Sequence, residues 1–150
     1  MFRGRYEHAI DGKGRTSLPS RFRDVLAASG DCRVVITSGI DPCVVAHPWK
    51  QWLELEERLA KFSKFDESVA MLRRIYVSGA VDSEIDKLGR LLIPATLRAH
   101  AGLRREAIWA GMGDHIELWD KGRYEGLRDA VLSDPEKRQA LVKRLAELGL

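Results

Sequence analysis

The chain has 150 residues, 45% hydrophobic and 31% charged, enough to bury one ordinary core or two half-domains sharing one, and too apolar for disorder. No apolar run approaches the roughly 20 residues of a membrane span, and the start Met1-Phe2-Arg3-Gly4-Arg5-Tyr6 lacks the apolar core of a secretory signal, so a cytoplasmic protein is expected. The net charge of +3 is concentrated: residues 1 to 30 hold six basic residues against three acidic, while the remainder balances at nineteen of each. A localised basic face suits a polyanion.

Arg5 to Ile10 alternates and leads into Asp11-Gly12, a dipeptide that favours a tight hairpin turn because both residues tolerate positive φ. Arg15 to Leu18 reads as the return strand. Pro19 fits a first helical turn, where its missing N–H costs nothing, and Phe22, Val25 and Leu26 form the buried stripe of a short helix that Ser29-Gly30-Asp31 ends. Arg33 to Thr37 and Cys43 to Ala46 read as a second hairpin about the turn residues Gly39 to Pro42. Pro48 opens a helix with Trp52, Leu55, Leu59 and Phe62 on its inner face.

Residues 63–79 read as a connector in which Asp66 caps a helix carrying Val69, Leu72 and Ile75 or Tyr76 inward, with Arg73-Arg74 on a solvated face. Ala80 to Ile85 starts a new strand and Pro94 to Ala101 a short helix. Ala107 to Ala110 and Ile116 to Trp119 form another hairpin, and Asp120 caps a helix from Lys121 to Leu132. Ser133-Asp134-Pro135 restarts a final helix with Leu141, Leu145 and Leu148 on one face.

This order of elements repeats because the sequence does. Asp11, Gly14, Arg15, Pro19 and Arg23 return 75 positions later as Asp86, Gly89, Arg90, Pro94 and Arg98. Ile36, Gly39, Trp52 and Leu55 return 72 positions later as Ile108, Gly111, Tyr124 and Leu127. The final helix has no counterpart. The reading is therefore a duplicated unit of strand, turn, strand, short helix, strand, turn, strand, longer helix. Its parts are 1–62 as the first repeat, 63–79 as the connector, 80–132 as the second repeat and 133–150 as the C-terminal helix.

Little in the chain speaks for catalysis. Cys32 and Cys43 lie at no metal-ligand spacing and read as free thiols in a reducing compartment. His8, His47, His100 and His115 are scattered, whereas zinc gathers its ligands in tight sequence pairs. There is no Ser/His/Asp or Cys/His grouping and no paired acid motif. Asp11-Gly12-Lys13-Gly14 is too short and misplaced for a phosphate loop, which leads from a strand directly into a helix. No enzyme activity, cofactor, metal or small-molecule substrate is expected.

The opening Met-Phe-Arg-Gly, the Asp-x-Lys-Gly-Arg-x-x-x-Pro-x-x-x-Arg pattern at Asp11 to Arg23 and the second copy at Asp86 to Arg98 resemble the MraZ family of bacterial transcriptional regulators, over essentially the whole chain. The resemblance implies an α+β fold: a pseudo-symmetric double swapped-hairpin, AbrB-like β-barrel built from the two internal repeats and flanked by helices. It also implies a homo-oligomeric ring that binds double-stranded DNA at repeated promoter boxes upstream of the division and cell-wall gene cluster, leaning towards repression, on the nucleoid.

Within that reading Lys13 and Arg15 are the main DNA-contact candidates: lysine suits a phosphate, and arginine can be bidentate to phosphate or to the O6/N7 edge of guanine. Arg3 and Arg5 are weaker candidates, and Arg90 offers a secondary phosphate contact. Gly14 permits close backbone approach. Asp11 and Asp86 accept turn N–H groups or orient the following arginine, so the alternative for Arg15 is a structural ion pair with Asp11, matched by Arg90 with Asp86. Gly89, Pro19, Pro94, Arg23 and Arg98 complete the structural motif. Because Leu88 stands in the place of Lys13, the first copy is expected to meet DNA and the second to support the fold. The competing reading is an oligomeric scaffold that binds a protein partner through its C-terminal helix.

Overall fold

The computed structural model describes all of residues 1–150. It divides into two compact units, Met1–Asp120 and Lys121–Leu150, and no helix is long and apolar enough to cross a membrane.

The first unit is mixed α and β. Strands β1 (Arg5–Ala9) and β2 (Arg15–Ser17) lead into helix α1 (Ser20–Ala28), followed by β3 (Val34–Ser38), β4 (Val44–Pro48) and α2 (Trp49–Ala60). Helix α3 (Glu67–Leu72) and a π-helical turn (Arg73–Val77) fill the connector. The second copy then gives β5 (Val81–Ser83), β6 (Arg90–Leu92), α4 (Ala95–Ala101), β7 (Glu106–Gly111) and β8 (Ile116–Asp120). Pro19, Pro48 and Pro94 each stand just before a helix with extended ψ, so the fixed proline φ marks the boundary rather than the first turn.

Six strands form one antiparallel sheet in the order β1-β7-β8-β4-β3-β5, and β2 pairs with β6 in a separate ribbon. The order reads the same from either end when the copies are exchanged. Each copy keeps its second hairpin, β3–β4 or β7–β8, and lends its first strand to the other copy: β1 lies on β7, and β5 on β3. Asp11-Gly12 therefore does not close a two-stranded hairpin; β1 and β2 share only the Ile10–Thr16 bridge. The sheet is open, with β1 and β5 at its edges, rather than a closed barrel. The physical reason is that β2 and β6 spend their ladders on each other instead of bridging those edges.

Burial follows from this order. The inner strands β3 and β4 are covered on both faces and read as continuous apolar runs, whereas edge strand β1 alternates. One face carries Val34, Ile36, Val44, Ala46, Trp109 and Leu118 in a core with Phe22 and Leu26 of α1, Leu97 and Ala101 of α4, and Leu18, Leu91 and Ile93 around the ribbon. The Trp109 indole N–H donates to the Ser17 carbonyl at 3.1 Å and ties sheet to ribbon. Phe2 is buried, and its segment lies across Gly111, where an added Cβ would stand 2.6 Å from the Arg3 nitrogen.

The other face holds Val35, Thr37, Val45, His47 and Trp52. The connector docks here as Thr37 and Ser38 hydroxyls donate to the carbonyls of Tyr76 and Ile75, at 2.5 and 2.9 Å. Asp66 caps α3 by accepting the Val69 N–H. The π turn shifts the helical register, so Val69 and Tyr76 face inward while Leu72 and Ile75 are exposed. Arg73 is not simply solvated, since it donates to the Leu59 carbonyl at 2.9 Å. Phe62 lies past the end of α2 and is exposed.

The second unit is a pair of helices, α5 (Lys121–Leu132) and α6 (Pro135–Glu147). Asp134 caps α6 by accepting the Glu136 and Lys137 N–H groups, with Pro135 at the first helical position.

Candidate nucleic-acid interface

The two motif copies build the same turn twice. Asp11 Oδ1 accepts the Lys13 and Arg15 backbone N–H groups, both at 2.9 Å, and its Oδ2 accepts Arg15 Nε–H at 2.8 Å. Asp86 does the same for Leu88, Arg90 and Arg90 Nε–H at 2.9, 2.9 and 2.8 Å. Each carboxyl lies below its ordinary value, chiefly because the arginine's backbone N–H stabilises the charged form. Each arginine is thus oriented by its aspartate through Nε alone, and the Nη1–Nη2 edge of the fork takes no part in the pair.

The glycines explain the rest of the spacing. Positive φ falls on Gly14 (+86°) and Gly89 (+77°), not on Gly12 as the hairpin reading expects, because the turn runs from Asp11 to Arg15. Each of these glycines then receives the motif's second arginine from the opposite copy. A Cβ on Gly14 would meet Arg98 Cζ and Nε at 2.8 Å, and one on Gly89 would meet Arg23 Cζ at 2.8 Å. Reciprocal bonds complete the exchange: Leu18 N–H to the Gly89 carbonyl and Ile93 N–H to the Gly14 carbonyl, both 2.8 Å. Arg98 also donates from Nε to the Ile93 carbonyl at 3.0 Å. Arg23 and Arg98 are accordingly clasps between copies.

In the β2–β6 ribbon Arg15 stands opposite Leu92 and Ser17 opposite Arg90, while Thr16 and Leu91 point inward. Strand alternation therefore puts Arg15, Ser17, Arg90 and Leu92 on one outward face, with the two arginines diagonal neighbours about 7–8 Å apart. Lys13 is exposed on the turn before it, and Leu88 is exposed at the equivalent place. Arg3 and Arg5 are not gathered here. Arg5 lies four residues up β1 from Ala9, at the strand's far end, about 14 Å away.

Below the ribbon, Asp11, Arg15, Arg90, Arg98, Arg104 and Arg105 line an open cleft of about 720 Å³, with Thr16 in its wall. Four of its five arginines come from the second copy. Arg104 and Arg105 escape the sequence reading because an adjacent basic pair has no period or motif. Their position is set only when the Arg105 carbonyl accepts the Ile10 N–H at 2.7 Å and seats the loop beside Asp11.

A second cluster joins residues the sequence scatters. His47 and Tyr76 share a 2.7 Å hydrogen bond, and His47 stacks on His115 at 5.3 Å. Burial pushes His47 down to about 4, while hydrogen bonding to Glu117 and then to Asp114 raises His115.

A family model described as "MraZ protein, putative antitoxin-like" matches residues 1–75 and again 76–145, one match to each copy of the repeat. The chain is 42% identical over 150 residues to the transcriptional regulator MraZ of Lachnoclostridium phytofermentans, covering 100% of this chain and 99% of that protein. The MraZ regulator of Roseiflexus castenholzii is 40% identical over 149 residues, 99% of each chain. That of Acetivibrio thermocellus is 33% identical over the full length of both. Transcriptional regulator is not an enzyme class. With two matches that tile the repeat and relatives aligned from end to end, the chain belongs to the MraZ family.

Proposed function

We propose that this chain is a sequence-specific DNA-binding transcriptional regulator that meets DNA with the outer face of the β2–β6 ribbon and the Lys13 turn beside it. The observation that carries this reading is the pairing of the two motif copies, which sets Arg15 and Arg90 on one exposed face with their Nη edges unspent. A two-stranded ribbon fits the major groove of B-DNA, and an arginine fork fits guanine O6/N7 or a phosphate. The relatives' printed name supports the same reading.

One protomer offers few charged contacts, so its binding alone is weak. A homo-oligomeric ring on repeated promoter boxes overcomes this by raising the effective concentration of each next contact. Following the family resemblance, the boxes lie upstream of the division and cell-wall gene cluster, and occupancy on the cytoplasmic nucleoid represses it. In this reading 1–62 and 80–132 act together as the two repeats.

The test is selection of bound duplexes from random DNA at fixed salt, followed by gel shift with a Lys13→Ala/Arg15→Ala variant. Asp11 keeps its backbone bonds in that variant, so the turn survives. The expected result is loss of the selected complex with the assembly size by light scattering unchanged; normal binding would remove these residues from the interface. The scaffold reading draws on α6, whose Leu141, Val142 and Leu145, with Leu148 at its C-terminal cap, are all exposed. Leu145→Asp distinguishes the two: loss of a protein partner with DNA binding intact favours the scaffold.

A further inference from the structure

The arginine cleft carries more positive charge than the fold uses. Of the five arginines lining it, Arg15 is paired with Asp11, Arg90 with Asp86 and Arg104 with Asp120. That leaves Arg98, whose Nε is held by the Ile93 carbonyl and so meets no negative charge, and Arg105, which is exposed and joins no carboxylate. The Arg104 pair is also loose. Its distances are 3.2 and 3.3 Å, and the arginine side chain is 77% exposed.

The opposite side of the pseudo-twofold serves as an internal control. By the repeat offset, Arg105 corresponds to Arg33. Arg33 is neutralised there. It bonds Asp31 three times, down to 2.7 Å, lies 4.5 Å over the Trp49 ring, and has Glu84 and Asp82 nearby. The fold thus quenches one of two equivalent positions and leaves the other charged, next to the copy that carries Lys13.

We propose that this cleft seats a phosphate of the DNA backbone, held by Arg105 and Arg104, as the strand passes from the β2–β6 ribbon over the Asp11 turn. The proposal rests on the DNA-binding reading above and extends the interface to residues that neither motif copy contains. A backbone phosphate positions the duplex without reading its sequence. The seat therefore contributes affinity and salt dependence, and leaves base discrimination to the ribbon.

The experiment compares wild type with Arg105→Gln and Arg104→Gln/Arg105→Gln on a selected duplex and on a random-sequence duplex, from 50 to 200 mM salt. Losing the neutralisation of one phosphate lowers the slope of log affinity against log salt by about 0.9. Because the two arginines share one phosphate, the slope is expected to fall by part of this in the single variant and by about 0.9 in the double. Affinity for both duplexes should fall by the same factor, so that their ratio is unchanged. Arg105→Lys, which keeps the charge, should keep the slope and guards against a folding defect. An unchanged slope in Arg105→Gln, with wild type binding normally, overturns the phosphate seat alone. Absence of binding by wild type to either duplex overturns the DNA reading and the seat together. Calorimetry with pyrophosphate at matched ionic strength separates the sources. If wild type binds it, Arg105→Gln does not, and the DNA slope is unaltered, the cleft takes a free phosphate compound and the proposal falls.

Discussion

Replacing Gly14 by alanine should damage the joint between the two copies more than any comparable change nearby. The backbone there has φ +86°, which costs a residue with a side chain about 1–2 kcal/mol. The new Cβ would stand 2.9 Å from the Ile93 carbonyl oxygen, a backbone atom that cannot swing aside, and 2.8 Å from the Arg98 guanidinium. Shifting that strand weakens the Ile93 N–H bond to the Gly14 carbonyl and the Arg98 bond to the Ile93 carbonyl, about 1 kcal/mol each. The sum is about 3–4 kcal/mol, which for a chain of this size lowers Tm by about 6–16 °C. Gly89→Ala should cost less, because the atoms it meets belong to the movable Arg23 side chain. Gly12→Ala has open space and no positive φ, and should stay within about 1 kcal/mol of wild type. Urea unfolding of the three variants ranks them; Gly14→Ala as stable as Gly12→Ala would refute the clasp.

The two stacked histidines should titrate apart, and proton NMR of their ring C–H signals checks this. His47, lowered to about 4, stays neutral through the physiological range, whereas His115, raised from its ordinary value, is charged well above His47's midpoint. A lowered histidine binds fewer protons folded than unfolded, so its share of stability is present above about pH 6.5 and is lost as pH falls towards 4. His115 contributes with the opposite sign. A thiol reagent under native conditions should modify one cysteine, the exposed Cys32. Cys43 is buried with its thiol pushed up to about 12 and should react only after unfolding. Two fast equivalents in the native state would contradict its burial.

Much of the local structure was legible because its causes are local. The prolines before α1, α2 and α4, the Asp66 cap and the β3–β4 and β7–β8 hairpins each follow from a few adjacent residues. The partners of β1 and β5 were not legible from the residues themselves, since alternation says which face of a strand is buried and nothing about which strand lies beside it. The family resemblance implied exchanged hairpins closing into a barrel, and the sheet remains open. Asp11 and Arg15 were visible as a motif, but not that Arg98 covers Gly14, because those two positions are more than eighty residues apart. The cleft was missed for the same reason. Arg104 and Arg105 acquire meaning only where their loop meets Ile10.

The exchange of first strands also fixes the order in which the protein can come into being. The ribbon face needs both Arg15 and Arg90, and β1 has no ladder until β7 exists. At 5–20 residues per second, roughly 5–20 s separates synthesis of Arg15 from completion of β7. During that time β1 and β2 have no partners, and pairings this distant in sequence are intrinsically slow to form. A nascent chain therefore holds its lysine turn early yet has no surface on which to present it. The DNA-facing surface proposed above is therefore complete only once the chain has been made through Gly111 at the end of β7.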